Sequence, residues 1–138
     1  MLISPQKQKL AKYKTACRCA ICGERNDLVV TGFIPEWTRI VGQDTDKLIP
    51  LCNNCFINTR YKFIELGSLR YLPEVFIQQL MRYYKPIAGY LYKYIYMYGK
   101  YRTNNMLDVD KACLVLSSYD VYIQEHEDEL NWEDLKKS

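Results

Sequence analysis

The chain has 138 residues, 49% of them hydrophobic, and 19 Lys and Arg residues against 16 Asp and Glu residues give it a net charge of +3. A chain of this size builds one compact domain with one sizeable core, or a small domain with a helical extension. No segment reaches the roughly 18 consecutive apolar residues of a membrane span, and the first residues lack the pattern of a secretory signal. We therefore expect an intracellular, cytoplasmic protein.

Charge is distributed unevenly along the sequence. Residues 1–56 carry eight basic and five acidic residues, a net +3, and residues 57–102 carry eight and two, a net +6. Residues 106–138 carry three basic and nine acidic residues, a net −6. A basic body with an acidic end favours an anionic partner, or a tail that folds back on the body.

The N-terminal segment is predicted to be a basic helix. Ser4 is a suitable N-cap, and Pro5 suits the first helical position. The basic side chains that follow either contact phosphate or form a solvated helix face. They are Lys7, Lys9, Lys12, Lys14 and Arg18.

Two C-x-x-C pairs, Cys19 with Cys22 and Cys52 with Cys55, predict one structural zinc ion. Two residues between thiolates allow a tight turn to direct both sulfurs at one ion, and two such pairs complete a tetrahedral shell. Gly23 suits such a turn because the backbone there often needs a positive φ. The alternative is a set of free thiols or disulfides, which the absence of an export signal makes less favourable.

The residues around these pairs predict a treble-clef arrangement. The segments "LVV" (28–30) and "KLIPL" (47–51) are β-prone, and residues 52–66 form a helical pattern that begins with the second pair. The remaining cysteines, Cys17 and Cys113, are interpreted as ordinary thiols, although Cys17, two positions before Cys19, could be a substitute ligand. Cys113 lies in an apolar run where it acts as a small hydrophobic residue.

The segment 19–56 resembles the four-cysteine form of the HNH endonuclease family, in which zinc holds a ββα unit together. That family has a C-x-x-C knuckle, a strand ending in a histidine before an apolar-x-Pro, an asparagine before the second pair and a histidine directly after it. This sequence keeps the frame as "CAIC", "LVV", "FIP", "LIPLC" and "NNC". The resemblance implies a fold and a nucleic-acid context more than any particular role.

The positions that carry the family's chemistry are replaced. Gly32 stands where the general-base histidine is expected, Lys47 where the asparagine is, and Phe56 where the metal-binding histidine is. Thr31 replaces the preceding Asp or His of the family. Hydrolysis of this kind needs a proton acceptor and a divalent ion at the phosphate. We therefore expect a catalytically silent relative rather than a nuclease.

A nuclease with relocated catalytic residues is the remaining enzymatic alternative. Asp44 and Asp46 could hold a magnesium ion, although acidic side chains in loops are usually just solvated. His126 is the only histidine of the chain, and its acidic surroundings favour a solvated surface position.

The second half of the sequence is predicted to be helical. The pattern favours a helix over 73–84, a break at Pro86, an element over 87–101 that fits a helix better than a strand, and a last helix over 108–130. The expected core residues are Val75, Ile77, Leu80 and Met81, then Ile87, Leu91, Ile95 and Tyr98, and finally Val109, Ala112, Cys113, Leu116, Tyr119 and Ile123.

We thus expect an α+β, mostly α fold. Residues 1–66 would form the basic helix and the treble-clef zinc unit, and residues 67–138 the helical part with its acidic tail, together in one compact domain.

The favoured function is nucleic-acid binding, to DNA rather than RNA, in a phage or mobile-element setting. Tyrosines among lysines can stack bases while the cations hold phosphates, or they can be amphipathic core residues. The alternative is a module that binds or inhibits a nucleic-acid-processing enzyme. The candidate nucleic-acid contacts are Lys47, Arg60, Lys62, Lys93, Lys100 and Arg102.

Overall fold

The computed structural model describes residues 3–33, 44–59, 64–101, 109–128 and 130, without the side chains of 98–101. Its helices and strands give the α+β, mostly α architecture that the sequence predicts. In chain order they are α1 (Pro5–Tyr13), β1 (Leu28–Gly32), β2 (Leu48–Cys52), α2 (Asn53–Thr59), α3 (Glu74–Tyr101) and α4 (Val109–Glu125), with short 3-10 turns at Thr45–Lys47 and Leu66–Ser68.

The two strands form an antiparallel pair whose register runs from Leu28 opposite Cys52 to Gly32 opposite Leu48. Every residue of β2 is buried. Pro50 lies inside β2, which is tolerated because each strand of a two-stranded sheet has a free edge. Knuckle, hairpin and helix α2 follow one another as in a treble clef, so the predicted order of elements is confirmed.

The predicted start of α1 is confirmed. The prediction that the basic side chains of this segment face solvent or phosphate is wrong for Lys14. The Ser4 hydroxyl accepts a hydrogen bond from the Lys7 amide at 3.3 Å. Lys14 is buried, and its ammonium donates to the backbone carbonyls of Thr45 and Leu48. Lys14 therefore joins the end of α1 to the start of β2, the strand that ends in Cys52, and does not extend a solvated basic face.

The predicted break at Pro86 is wrong, because α3 is continuous from Glu74 to Tyr101 with Pro86 inside it. A proline in a helix interior removes one hydrogen bond and costs about 3 kcal/mol. Buried residues on both sides of Pro86, such as Tyr84 and Leu91, belong to the same core, and their burial outweighs that cost. The helix predicted from residue 52 ends at Thr59 in the described part of the chain, and Ile64 and Glu65 are not helical.

One main core joins the cysteine-bearing segment to the helices, since Cys19, Phe33, Leu80, Leu116 and Leu130 all belong to it. The predicted apolar face of α4 is confirmed: Ala112, Leu116, Tyr119 and Ile123 are buried, and Val109 and Cys113 pack against the core. Val75 was expected in the core but is 57% exposed, because α3 turns Ile77, Leu80, Met81 and Tyr84 inward instead. The predicted position of Tyr98 lies outside the described side chains.

Tyrosine hydroxyls join α3 to α4, and α4 to the segment that precedes α3. The hydroxyls of Tyr84 and Tyr92 donate to the two carboxylate oxygens of Asp120 on α4, at 3.1 and 2.7 Å. The Tyr119 hydroxyl donates to the carbonyl of Ile64.

No helix in the described part of the chain is long and apolar enough to span a bilayer.

Candidate metal centre

The four cysteines of the two pairs meet at one point. The sulfurs of Cys19, Cys22, Cys52 and Cys55 all lie within 4.8 Å of one another, and those of Cys22 and Cys52 are 3.5 Å apart. A tetrahedral ion with metal–sulfur bonds of about 2.3 Å places its ligand sulfurs about 3.8 Å apart. The sulfur spacing therefore fits a four-thiolate metal site.

Backbone amides orient two of the sulfurs. The amide of Ile21 donates to the Cys19 sulfur and that of Cys55 to the Cys52 sulfur, each at 3.4 Å. The turn between Cys19 and Cys22 is closed by the Cys19 amide, which donates to the Glu24 carbonyl at 2.8 Å. Each pair thus presents a sulfur whose negative charge is stabilised by a main-chain donor.

Gly23 follows the first pair with a φ of +82°, which confirms the prediction from the sequence. A β-carbon added there would lie 2.6 Å from the ring of Tyr71, so the aromatic ring lies directly on the glycine. The Tyr71 amide donates to the Ala20 carbonyl, and the Ala20 amide donates to the Pro50 carbonyl in β2. This chain of contacts fixes the first pair against β2, the strand that ends in Cys52. No local signal in the sequence indicated that Tyr71 would pack on Gly23.

Burial and mutual contact shape the acidity of the thiols. Although burial opposes ionisation of Cys19, hydrogen bonds from the amides of Cys22, Cys52 and Ile21 lower its pKa to about 7. Burial, and then contact with the neighbouring thiols, raises the pKa of Cys55. Several thiolates held this close repel one another, and a divalent cation removes that penalty. The cluster can therefore bind a metal ion, and four protein ligands leave no position for a reactive water.

The residues that the sequence resemblance places at the catalytic positions of the HNH family lie close to this cluster in the chain. Gly32 is the buried last residue of β1, and Thr31 beside it is buried as well. Phe56 lies on α2 and packs against the main core. The Lys47 ammonium lies 3.4 Å from the Asp44 carboxylate and 4.6 Å from the centre of the Tyr83 ring.

The other acidic and histidine candidates have partners within the protein. Asp46 accepts a hydrogen bond from the Tyr83 hydroxyl at 3.1 Å. The His126 ring stacks on Tyr122, and its Nε2 atom lies 3.8 Å from the Glu74 carboxylate. His126 thus joins the end of α4 to the start of α3, a contact that the sequence did not indicate.

Of the six cations named as nucleic-acid contacts, the structure describes the side chains of Lys47 and Lys93. Lys93 is exposed on α3 and far in the sequence from the cysteine cluster. Arg60, Lys62 and Arg102 lie outside the described residues, as does the side chain of Lys100.

Comparison with known proteins does not place the chain in a family. Neither the models of protein families, nor the curated proteins, nor the solved structures contain a match.

Proposed function

We propose that the protein is a zinc-stabilised, catalytically silent nucleic-acid-binding protein. The observation that supports it is the exposed side of α3, where Lys85, Tyr90, Lys93 and Tyr96 reach solvent. Glu74, in the first turn, is the only acidic residue of this helix. Exposed cations attract a phosphate backbone, and exposed aromatic rings beside them can contact bases.

Zinc is the ion that suits the cysteine cluster best. Soft thiolate ligands in a closed tetrahedral set are typical of structural zinc sites, and such sites supply folding energy rather than catalysis. Cys19, Cys22, Cys52 and Cys55 would hold the ion, which would join the knuckle to α2. We expect the purified protein to contain one zinc ion.

The proposal of catalytic silence rests on the side chains at the family's catalytic positions. Gly32 has no proton acceptor, Phe56 has no metal ligand, and the Lys47 ammonium would repel a divalent cation. Asp44 and Asp46, the residues of the relocated-nuclease alternative, already contact Lys47 and Tyr83. Plasmid nicking that survives purification and is lost in Asp46→Asn would establish that alternative instead.

Alanine substitution with a charge-matched control tests the proposed binding. Lys93→Ala should weaken binding of a labelled oligonucleotide in a fluorescence anisotropy titration, because it removes a phosphate contact. Lys111→Ala makes the same change of charge on α4, among acidic residues, and should change the dissociation constant less. Equal effects of the two variants would mean that net charge alone matters and that α3 is not the binding surface.

A protein partner is the second candidate, and one feature of α4 favours it. Leu114 is 71% exposed and borders a groove of about 710 Å³ that also includes Leu66 and Val115. Exposed apolar groups beside a concavity are typical of protein-binding surfaces. Leu114→Asp would abolish such an interaction and leave oligonucleotide binding unchanged.

A further inference from the structure

Two tyrosines of α3 differ from those that hold the helices together. Tyr84 and Tyr92 are bound through their hydroxyls to Asp120. Tyr90 and Tyr96 are 53% and 70% exposed, and within the described part of the chain neither has a hydrogen-bond partner. The ring faces of this second pair are therefore available to a ligand.

Cationic side chains accompany these two rings on one side of the helix. With 3.6 residues per turn, Lys93 lies between Tyr90 and Tyr96 on the surface of α3, and Lys85 lies a little more than one turn before Tyr90. Met97, which is 49% exposed, completes what we call the tyrosine–lysine face. This face combines positive charge with exposed rings, and its own helix provides no carboxylate beyond Glu74 at the far end.

We infer that the tyrosine–lysine face binds single-stranded nucleic acid, with unpaired bases stacked on Tyr90 and Tyr96 and phosphates at Lys85 and Lys93. This inference rests on the proposed function and narrows its ligand. Stacking on an aromatic side chain needs the flat face of a base, which an intact duplex hides between neighbouring base pairs. Lysine alone would serve a duplex equally well, so the exposed rings decide in favour of unpaired strands.

The spacing of the two rings agrees with a flexible strand. The rise of an α-helix places the Cα atoms of Tyr90 and Tyr96 about 9 Å apart along the axis. Successive bases of a duplex strand are only about 3.4 Å apart, which is less than half the spacing of these two residues along the helix axis. At Gly89, the residue before Tyr90, an added β-carbon would meet no other part of the protein within 4 Å, so the surface of α3 is open at Gly89.

The test compares a mixed-sequence 20-nucleotide DNA strand with the duplex of the same sequence by fluorescence anisotropy of zinc-loaded protein. The single strand should bind at least about tenfold more tightly. Tyr96→Ala should weaken its binding by roughly 5- to 150-fold, whereas Tyr96→Phe, which keeps the ring face, should stay within about twofold. Tyr13→Ala removes a tyrosine that is 60% exposed on α1 and serves as the matched control, with little expected effect.

Each contrary outcome has a separate meaning. Duplex binding that is as tight as single-strand binding, with Tyr96→Ala unaffected, would overturn the inference and leave the proposed function standing. An equal loss in Tyr13→Ala and Tyr96→Ala would also overturn it. Failure of both DNA forms to bind at low salt would overturn the proposed function itself and favour a protein partner. Circular dichroism of each variant shows whether a loss of binding reflects loss of fold.

Discussion

Alanine in place of Gly23 should destabilise the zinc-loaded protein by about 1–2 kcal/mol. A residue other than glycine pays about 1 kcal/mol or more in the left-handed region, and Gly23 has a φ of +82°. The new β-carbon would also lie 2.6 Å from the Tyr71 ring. Tyr71 is 40% exposed, so its ring can turn outward, and we expect the backbone strain to be the larger contribution.

Two measurements report this cost. Because metal binding and folding are coupled in small zinc sites, the destabilisation should appear as a roughly 5- to 30-fold weaker apparent zinc affinity in a chelator competition. Gly89→Ala is the matched control: Gly89 is helical with free space around it, and alanine there should stabilise the fold by about 0.5–1 kcal/mol in urea denaturation. The same substitution is thus expected to have opposite signs at the two positions.

A double-mutant cycle separates the two contributions at Gly23. In a Tyr71→Ala background, Gly23→Ala should keep the cost of backbone strain and lose the steric part. A Gly23→Ala protein with unchanged zinc affinity and stability would refute the argument that the knuckle needs a left-handed glycine.

The remaining predictions concern the metal ligands, the helix and a buried charge. Cys52→Ser should yield insoluble or zinc-free protein by elemental analysis, and a well-folded zinc-free variant would contradict a metal-dependent fold. Pro86→Ala should stabilise the protein by about 1–3 kcal/mol in denaturation experiments, because it restores a hydrogen bond inside α3. A lower free energy of unfolding in this variant would mean that Pro86 relieves strain. Burial lowers the pKa of Lys14 from 10.5 to about 8, although Asp46 opposes the shift. The unfolded chain then binds the proton more strongly than the folded protein does, so the free energy of unfolding should rise from pH 8 to 10.5. Lys14→Met should remove that rise relative to wild type. A Lys14→Met protein with the same pH dependence of unfolding as wild type would contradict this assignment.

The cysteine cluster was predictable because its signal is local and strict. Each pair has two residues between its thiols, the spacing typical of a metal-binding turn, and the first pair is followed by Gly23. The two strands were predictable from the β-prone segments 28–30 and 47–51, which lie between the two cysteine pairs. These features depend on neighbouring residues, which a sequence presents directly.

The errors arose where tertiary burial overrode a local rule. Pro86 predicts a break, yet the apolar residues before and after it belong to one core and keep α3 whole. Lys14 belongs to a lysine-rich segment, yet its ammonium donates hydrogen bonds to backbone carbonyls more than thirty residues away. The sequence likewise could not separate Tyr84, whose hydroxyl is bound to α4, from Tyr96, which faces solvent.

The central claim, a zinc-stabilised frame that binds a polyanion, is tested most directly by the salt dependence of oligonucleotide affinity. Anisotropy titrations of the zinc-loaded protein across a salt series give the slope of log affinity against log salt concentration. If six cations contact phosphates, the slope should be about −4 for a single strand and about −5 for a duplex. Absence of binding at low salt, or an affinity that salt leaves unchanged, would contradict the account.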